Sequence, residues 1–479
     1  MPQNYYEKLK NLSNNIWDYA ELKFSEYRSA SALETFMEQE GFLVERGIAG
    51  IETAFCCTFG NGKPVIGFLG EYDALSGLSQ QAGIAEPHPR PETENGHGCG
   101  HNLLGTASAG AALLLRDYLV QSHKSGTIKF FGCPGEEGGS GKTYMARAGA
   151  FNDLDVALTW HPGGGNAVLT GSMMANCQAY FRFQGTASHA AVAPHLGRSA
   201  LDAVELMNVG ANYMREHMEP TDRIHYAVLD TGGSSPNVVQ SHAEVLYLIR
   251  STDAEKVQAL YKRVCDIARG AALMTSTSVQ IIFDKGCSET LSNSVLENVL
   301  YESMLQVPLP QYTPDELAYA DSIHKTCLSF DTGGDLSLGF LPVCEKQYYA
   351  EIYRQKIMAD FVVKHMHRDT FVAGSSDVGD VSKVVPTAQF IAATATPGTP
   401  AHSWQMTAQG KSATALKGMW YAARVLANTG QTLINNPSLV QKAQDEFKGT
   451  TAGKPYQCPI PHDILPHRNV QELLSMQMK

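Results

Sequence analysis

No run of apolar residues in this sequence is long and unbroken enough to cross a bilayer, and Met1–Lys10 lacks the apolar core of a secretory signal. Both absences predict a cytoplasmic chain with no membrane partner. Positive charge is also short: 37 lysines and arginines face 48 acidic residues, a formal net charge of -11. A sequence-independent nucleic-acid binder needs a basic footprint, so nucleic acid is excluded as a partner. The 10 cysteines lack the regular spacing of a disulfide framework, which a chain of 479 residues does not need. Most are expected to be small buried hydrophobes. Heptads, internal repeats and low-complexity tracts are missing too.

What remains is the composition of a globular enzyme, 43% hydrophobic and 18% charged, at a length that predicts two or three domains. The densest chemistry lies in His97-Gly98-Cys99-Gly100-His101-Asn102. Three soft or borderline metal ligands fall within six residues, and the glycines let the backbone approach an ion. In an extended segment Cys99 and His101 would leave the same face.

Hydrophobic patterning places this stretch in a repeated frame. Residues 5–41 read as two helices, closed by Gly41. Strand-like runs follow at 54–59 and 64–69, the second almost continuously apolar, as a strand covered on both faces should be. It ends in Glu71-Tyr72-Asp73. A helix is expected over 105–119. Further strands at 127–132, 156–160 and 389–395 run into Glu136-Glu137, His161-Pro162 and Pro400-Ala401-His402. Strand, functional loop and helix in repetition describe an α/β domain whose site lies at the carboxyl ends of its strands.

Between these halves the pattern changes to β-α-β-β-α-β, with strands at 178–185, 224–232, 244–250 and 276–283. One helix lies within 199–218, and a second starts from a capping box at Thr252 and Glu255. The order predicts an open-faced, ferredoxin-like sandwich inserted at 176–290, so that 1–175 and 291–479 form the two parts of the catalytic domain. Region 327–373 shows no clear period and is placed as an irregular or helical excursion.

Cys99, His101, Glu137, His161 and His402 together form a sulfur, nitrogen and oxygen set on separate strand ends. Five ligands exceed the needs of one tetrahedral ion and suit two divalent ions sharing a bridging group. Of the adjacent Glu136 and Glu137, one can bind metal while the other takes a proton from water. His97 is either a neighbour of the ligands or a bystander. His365-Met366-His367 has ligand-like spacing but no strand context and no evident carboxylate neighbour, so it reads as structural. Two other function classes compete. Glu136–Thr143 nearly spells a phosphate-binding loop, but Glu136 stands where the first glycine is required, and paired carboxylates would repel a triphosphate. A metal-stabilised scaffold or binding protein would have no use for an unliganded acid beside its metal.

Five segments resemble the co-catalytic metal-dependent amidohydrolases and carboxypeptidases, a family that includes hippurate hydrolase and auxin-conjugate hydrolases. They are His97–His101, the Gly-Glu-Glu at 135–137, Trp160-His161-Pro162, Gly185–Ala190 and Gly398–His402. Gly70–Gln80, Pro194–Arg198 and Ser375–Val381 resemble the branch that acts on p-aminobenzoyl-glutamate. The resemblance implies hydrolysis of the amide of an N-acyl or N-aroyl amino acid, with a dipeptidase or broad aminoacylase as the rival within the family. It implies two divalent ions, manganese or zinc, on Cys99, His101, Glu137, His161 and His402, with Glu136 as general base. It also implies that His189 on the inserted lid and dimerisation domain reaches a catalytic site, in relatives that of the other protomer, and supports the oxyanion. Asn237 and Arg250 match positions that hold a substrate carboxylate. The implied assembly is a homodimer or a heteromer with a related A-type chain. Where many relatives carry Asp, Asn102 stands here, and an amide adds no negative charge beside the ligands.

Overall fold

The computed structural model describes residues 3–327 and 335–477. Two helices, α1 (Gln3–Tyr19) and α2 (Tyr27–Gln39), lead into strands β1 (Leu43–Arg46), β2 (Phe55–Asn61) and β3 (Val65–Glu71). Then come α3 (His101–Ser122), β4 (Gly126–Cys133), α4 (Gly141–Arg147), β5 (Val156–Gly163) and the short β6 (Ala167–Val168) and β7 (Ser172–Met173). A second group follows: β8 (Ala175–Gln184), α5 (Ala200–Met214), β9 (Arg223–Asp230), β10 (His242–Ser251), α6 (Ala254–Thr275) and β11 (Ser278–Cys287). The chain returns through α7 (Ser294–Gln306), α8 (Pro314–Cys327), α9 (Val343–Arg354), β12 (Phe371–Val372), α10 (Val378–Ser382) and β13 (Thr387–Ala393). It ends in α11 (Trp404–Gln409), α12 (Ala413–Asn435), α13 (Pro437–Thr451) and α14 (Val470–Gln477).

The larger sheet has seven strands in the order β1-β2-β4-β3-β5-β13-β6. Its centre, β4, β3, β5 and β13, is parallel, and the flanking strands are antiparallel. Every residue of β3 is buried, as its unbroken apolar run predicts. On one face α1, α2, α3, α7 and α12 share a core with residues such as Phe68, Phe130 and Phe390. The opposite face joins α4 and a C-terminal segment carrying Ile460, Ile464 and Leu473 to the core of the second sheet.

That second sheet is fully antiparallel, in the order β11-β8-β10-β9, and α5 and α6 cover one of its faces. The cap of α6 falls one residue later than the Thr252–Glu255 box predicts. Asp253 is the capping residue, its carboxylate accepting the Lys256 N–H of the first turn. A register shift between Phe283 and Lys285 turns the Lys285 side chain toward the larger sheet, where Nζ lies 3.3 Å from the Glu137 carbonyl oxygen.

Two expectations need correction here. Helix α3 begins at His101, four residues before the predicted start, and has the length and apolarity to cross a membrane. It is instead a mostly buried core helix between the sheet and α12. Of region 327–373, residues 328–334 lie outside the described residues, and the remainder contains helix α9, in line with a helical excursion, and the short strand β12, which was not expected.

Candidate metal centre

The carboxyl ends of β3, β4, β5 and β13 deliver the side chains of the site. His161 lies within β5, Glu136 and Glu137 follow β4, and His402 follows β13. Cys99 and His101 arrive differently from expectation: Cys99 sits in a turn, not an extended segment. Gly100, at φ 76, swings the chain into the first residue of α3 in a left-handed conformation that glycine adopts at little cost. His402 is itself left-handed, at φ 53, and its N–H donates to the Gly98 carbonyl, so the last ligand loop is tied to the first. A histidine in that conformation is strain held at a prospective site.

All five predicted ligands come together. Cys99, His101 and His161 offer donor atoms within 4.8 Å of one another, and so do Cys99, Glu137 and His402. Cys99 belongs to both triads. Its Sγ lies 3.3 Å from His161 Nε2, while His402 Nε2 lies 3.4 Å from Glu137 Oε2. The residues fit a pair of divalent ions on independent grounds. His101 Nε2 and Glu137 Oε1 are buried without a hydrogen-bond partner, and burial pushes the Cys99 thiol far up, so a thiolate there needs cations beside it. Burial also opposes ionisation of Glu137, yet the His402 hydrogen bond and the charge of His101 hold its carboxyl down at about 2.

Behind the triads stands a layer of charge. Asp73 Oδ1 lies 2.9 Å from His101 Nδ1, leaving Nε2 to face the ion site. Lys142 is completely buried, 2.6 Å from both Glu71 Oε1 and Asp377 Oδ1. Removing one partner from such a buried set costs about 3–5 kcal/mol. This pairing also disposes of the phosphate-loop alternative, since the lysine that would grip phosphate is enclosed by carboxylates. Glu136 lies near Glu71 and His101 but outside both Cys99 triads. Burial above all, and then the Glu71 and Asp377 carboxylates, push its carboxyl well above the usual range.

Comparison with known proteins agrees with this geometry. The model of peptidase family M20/M25/M40 matches residues 67–463. The chain belongs to peptidase family M20/M25/M40. It is 47% identical over 461 residues to one of the chains of the p-aminobenzoyl-glutamate hydrolase of Escherichia coli K12, covering 96% of each. Its fold is similar to the aminobenzoyl-glutamate utilization protein of Klebsiella pneumoniae, with a TM-score of 0.58 at 18% identity, covering 89% of this chain and 95% of that one. It is also similar to a dinuclear metal-binding M20 peptidase from Bacillus subtilis, with a TM-score of 0.56 at 15% identity, covering 91% and 99%. The chain is a metal-dependent amidohydrolase.

The remaining residues expected at the site lie on the second sheet and its loops. His189 is exposed, and its Nδ1 accepts the N–H groups of Ala191 and Val192 at 3.3 Å. Its Nε2 is thus left as the donor. Among the described residues none of its hydrogen bonds reaches a metal-triad residue. Asn237 is exposed on the adjoining segment, where its carbonyl accepts the Ala190 N–H. Arg250 reaches the larger domain, donating from Nη1 to Ser375 Oγ at 2.9 Å.

Several side chains of the site escaped sequence reading. Glu71 and Asp73 registered only as the end of a strand, although acids closing a doubly covered strand were the signal available. Lys142 and Asp377 meet across 235 residues, and no local pattern announces that contact. His97 is buried, with Nε2 3.0 Å from the Ile16 carbonyl; burial drives its pKa down to about 3, and it joins neither triad. The His365–His367 pair does have a carboxylate neighbour, contrary to expectation. The first turn of α7 places Glu297 Oε2 2.9 Å from His367 Nδ1 and 3.4 Å from His365 Nε2.

Proposed function

We propose that this enzyme cleaves the amide of p-aminobenzoyl-glutamate or a closely related N-aroyl amino acid, with ions on Cys99, His101, Glu137, His161 and His402. The observation that carries the reading is the sharing of Cys99 by two ligand triads, with Glu136 beside them and in neither. Manganese and zinc both suit this donor set. Bound in such a site, a pair of divalent ions supplies acidified water and a polarised carbonyl. Glu136 takes the proton of the attacking water and returns it to the leaving amine nitrogen; a carboxyl raised by burial is matched to both duties. Arg250, a planar fork half-buried beside Ser375, and Asn237 select a free carboxylate on the substrate.

The unit at 176–290 acts as lid and dimerisation element. Its edge strand β9 exposes Tyr226, Val228 and Leu229 and, among the described residues, has no strand paired on its outer side, which favours pairing with a second copy or an A-type chain. His189, solvent-facing through Nε2, then serves the site of the partner and donates to the oxyanion. The reaction belongs to the cytoplasm.

A substrate panel tests the proposal. Purified protein supplied with manganese or zinc releases glutamate from p-aminobenzoyl-glutamate faster than it hydrolyses dipeptides or acetylated amino acids. Preference for dipeptides would replace this reading with a dipeptidase.

A further inference from the structure

We propose that Glu71 is a further metal ligand, completing through Oε2 the coordination of the ion carried by His101 and His161, an inference that rests on the two-ion reading above. Glu71 closes β3 at the centre of the sheet and is 3% exposed. Its Oε2 lies 3.2 Å from His101 Nε2, the nitrogen that Asp73 leaves facing the ion site and that has no hydrogen bond of its own. Two ligands about 2.0–2.2 Å from one tetrahedral ion stand roughly 3.3–3.5 Å apart. The Glu71–His101 separation of 3.2 Å lies just short of that edge, and the 3.3 Å between Cys99 Sγ and His161 Nε2 lies short of the roughly 3.6 Å expected with sulfur at about 2.3 Å, so both pairs are close enough to share one ion after a small adjustment.

The two oxygens of Glu71 have separate duties. Oε1 is fixed 2.6 Å from Lys142 Nζ, whereas Oε2 is turned to His101. Serving as counter-ion to Lys142 does not account for the second, because Asp377 already neutralises that ammonium from 2.6 Å. Two carboxylates on one lysine, all three side chains at most 3% exposed, leave a second buried negative charge, which His101, 3.2 Å from Glu71 Oε2, balances only as an imidazolium and not as the neutral imidazole that binds a metal. A buried charge of that kind calls for a cation. Asn102 adds no charge to the ion, as its amide nitrogen is committed to Ser13 and the Gly410 carbonyl.

Glu71→Gln removes the charge but keeps a carbonyl oxygen for the Lys142 hydrogen bond, so the buried lysine stays satisfied. Glu71→Asp keeps the charge and withdraws the oxygens by one methylene. Wild type and both variants are loaded with Zn2+ and with Co2+. Metal per chain, affinity by chelator competition, the Co2+ absorption spectrum and the melting curve are recorded for each. The expected result is two ions in the wild type, one of which weakens by more than about 100-fold in the variants, with an altered Co2+ spectrum. Loss of an outer partner alone costs only about 10–100-fold. Two ions held within about 100-fold of wild-type affinity, with an unchanged spectrum in whichever variant folds, would overturn the assignment of Glu71 alone. Fewer than two ions in the wild type would instead overturn the two-ion centre and this inference with it.

Discussion

Asp73 aims His101: one carboxylate oxygen lies 2.9 Å from His101 Nδ1, and the other accepts the Glu137 backbone N–H at 2.9 Å. One side chain therefore sets the tautomer of His101 and the position of Glu137.

Asp73→Asn weakens both holds at once. Metal affinity falls on the order of 10–100-fold, read by chelator competition, with the fold retained by circular dichroism.

Glu136 stands outside both Cys99 triads, so its removal separates chemistry from metal binding. Glu136→Gln keeps its ions by elemental analysis, while kcat for glutamate release drops about 10²–10⁴-fold, the contribution of a positioned base. Normal turnover would remove it from that role.

Action of His189 across the interface makes two inactive proteins complementary. His189→Ala and Glu136→Ala are each silent alone. After verified subunit exchange, an equal mixture recovers about a quarter of wild-type activity, since half of the pairs are mixed and each holds one intact site. No recovery would place His189 within its own chain's site.

Asp380 gives a pH signature away from the ions. Burial pushes its carboxyl up to about 6, although the hydroxyls of Thr143, Ser288 and Tyr456 all donate to it. Between its ordinary value of about 3.9 and 6 the folded state binds the extra proton. The stability it contributes is therefore complete below about pH 4 and is lost as pH rises through 6. Relative to Asp380→Asn, the wild type loses about 2 kcal/mol between pH 4 and pH 7, so its melting temperature falls against that of the variant over that range.

The clustering of Cys99, His101, Glu137, His161 and His402 was legible because Glu137, His161 and His402 lie at or just beyond runs with strand character, while Cys99 and His101 share a short glycine-rich stretch. Periodicity also showed the second sheet, since β10 and the later part of β8 alternate between buried and half-buried positions. The charges behind the ligands were not legible. Glu71, Lys142 and Asp377 are far apart in sequence, and although Glu71 closes a doubly covered strand, nothing local links it to Lys142 or Asp377 until the fold brings them together. Glu297 beside His367 was hidden for the same reason, with 70 residues between the partners. The bounds of helix α9 were not legible because its burial is slight: Ala350 and Tyr353 alone are buried, too few to impose a visible period.

The enclosed position of α3 has a consequence for synthesis. Its apolar surface is sealed by α12, which leaves the ribosome nearly three hundred residues later. At ordinary elongation rates of about 5–20 residues per second, a greasy rod long enough for a bilayer waits many seconds without its cover. Nascent-chain chaperones, or slower expression at lower temperature, are what such a delay demands.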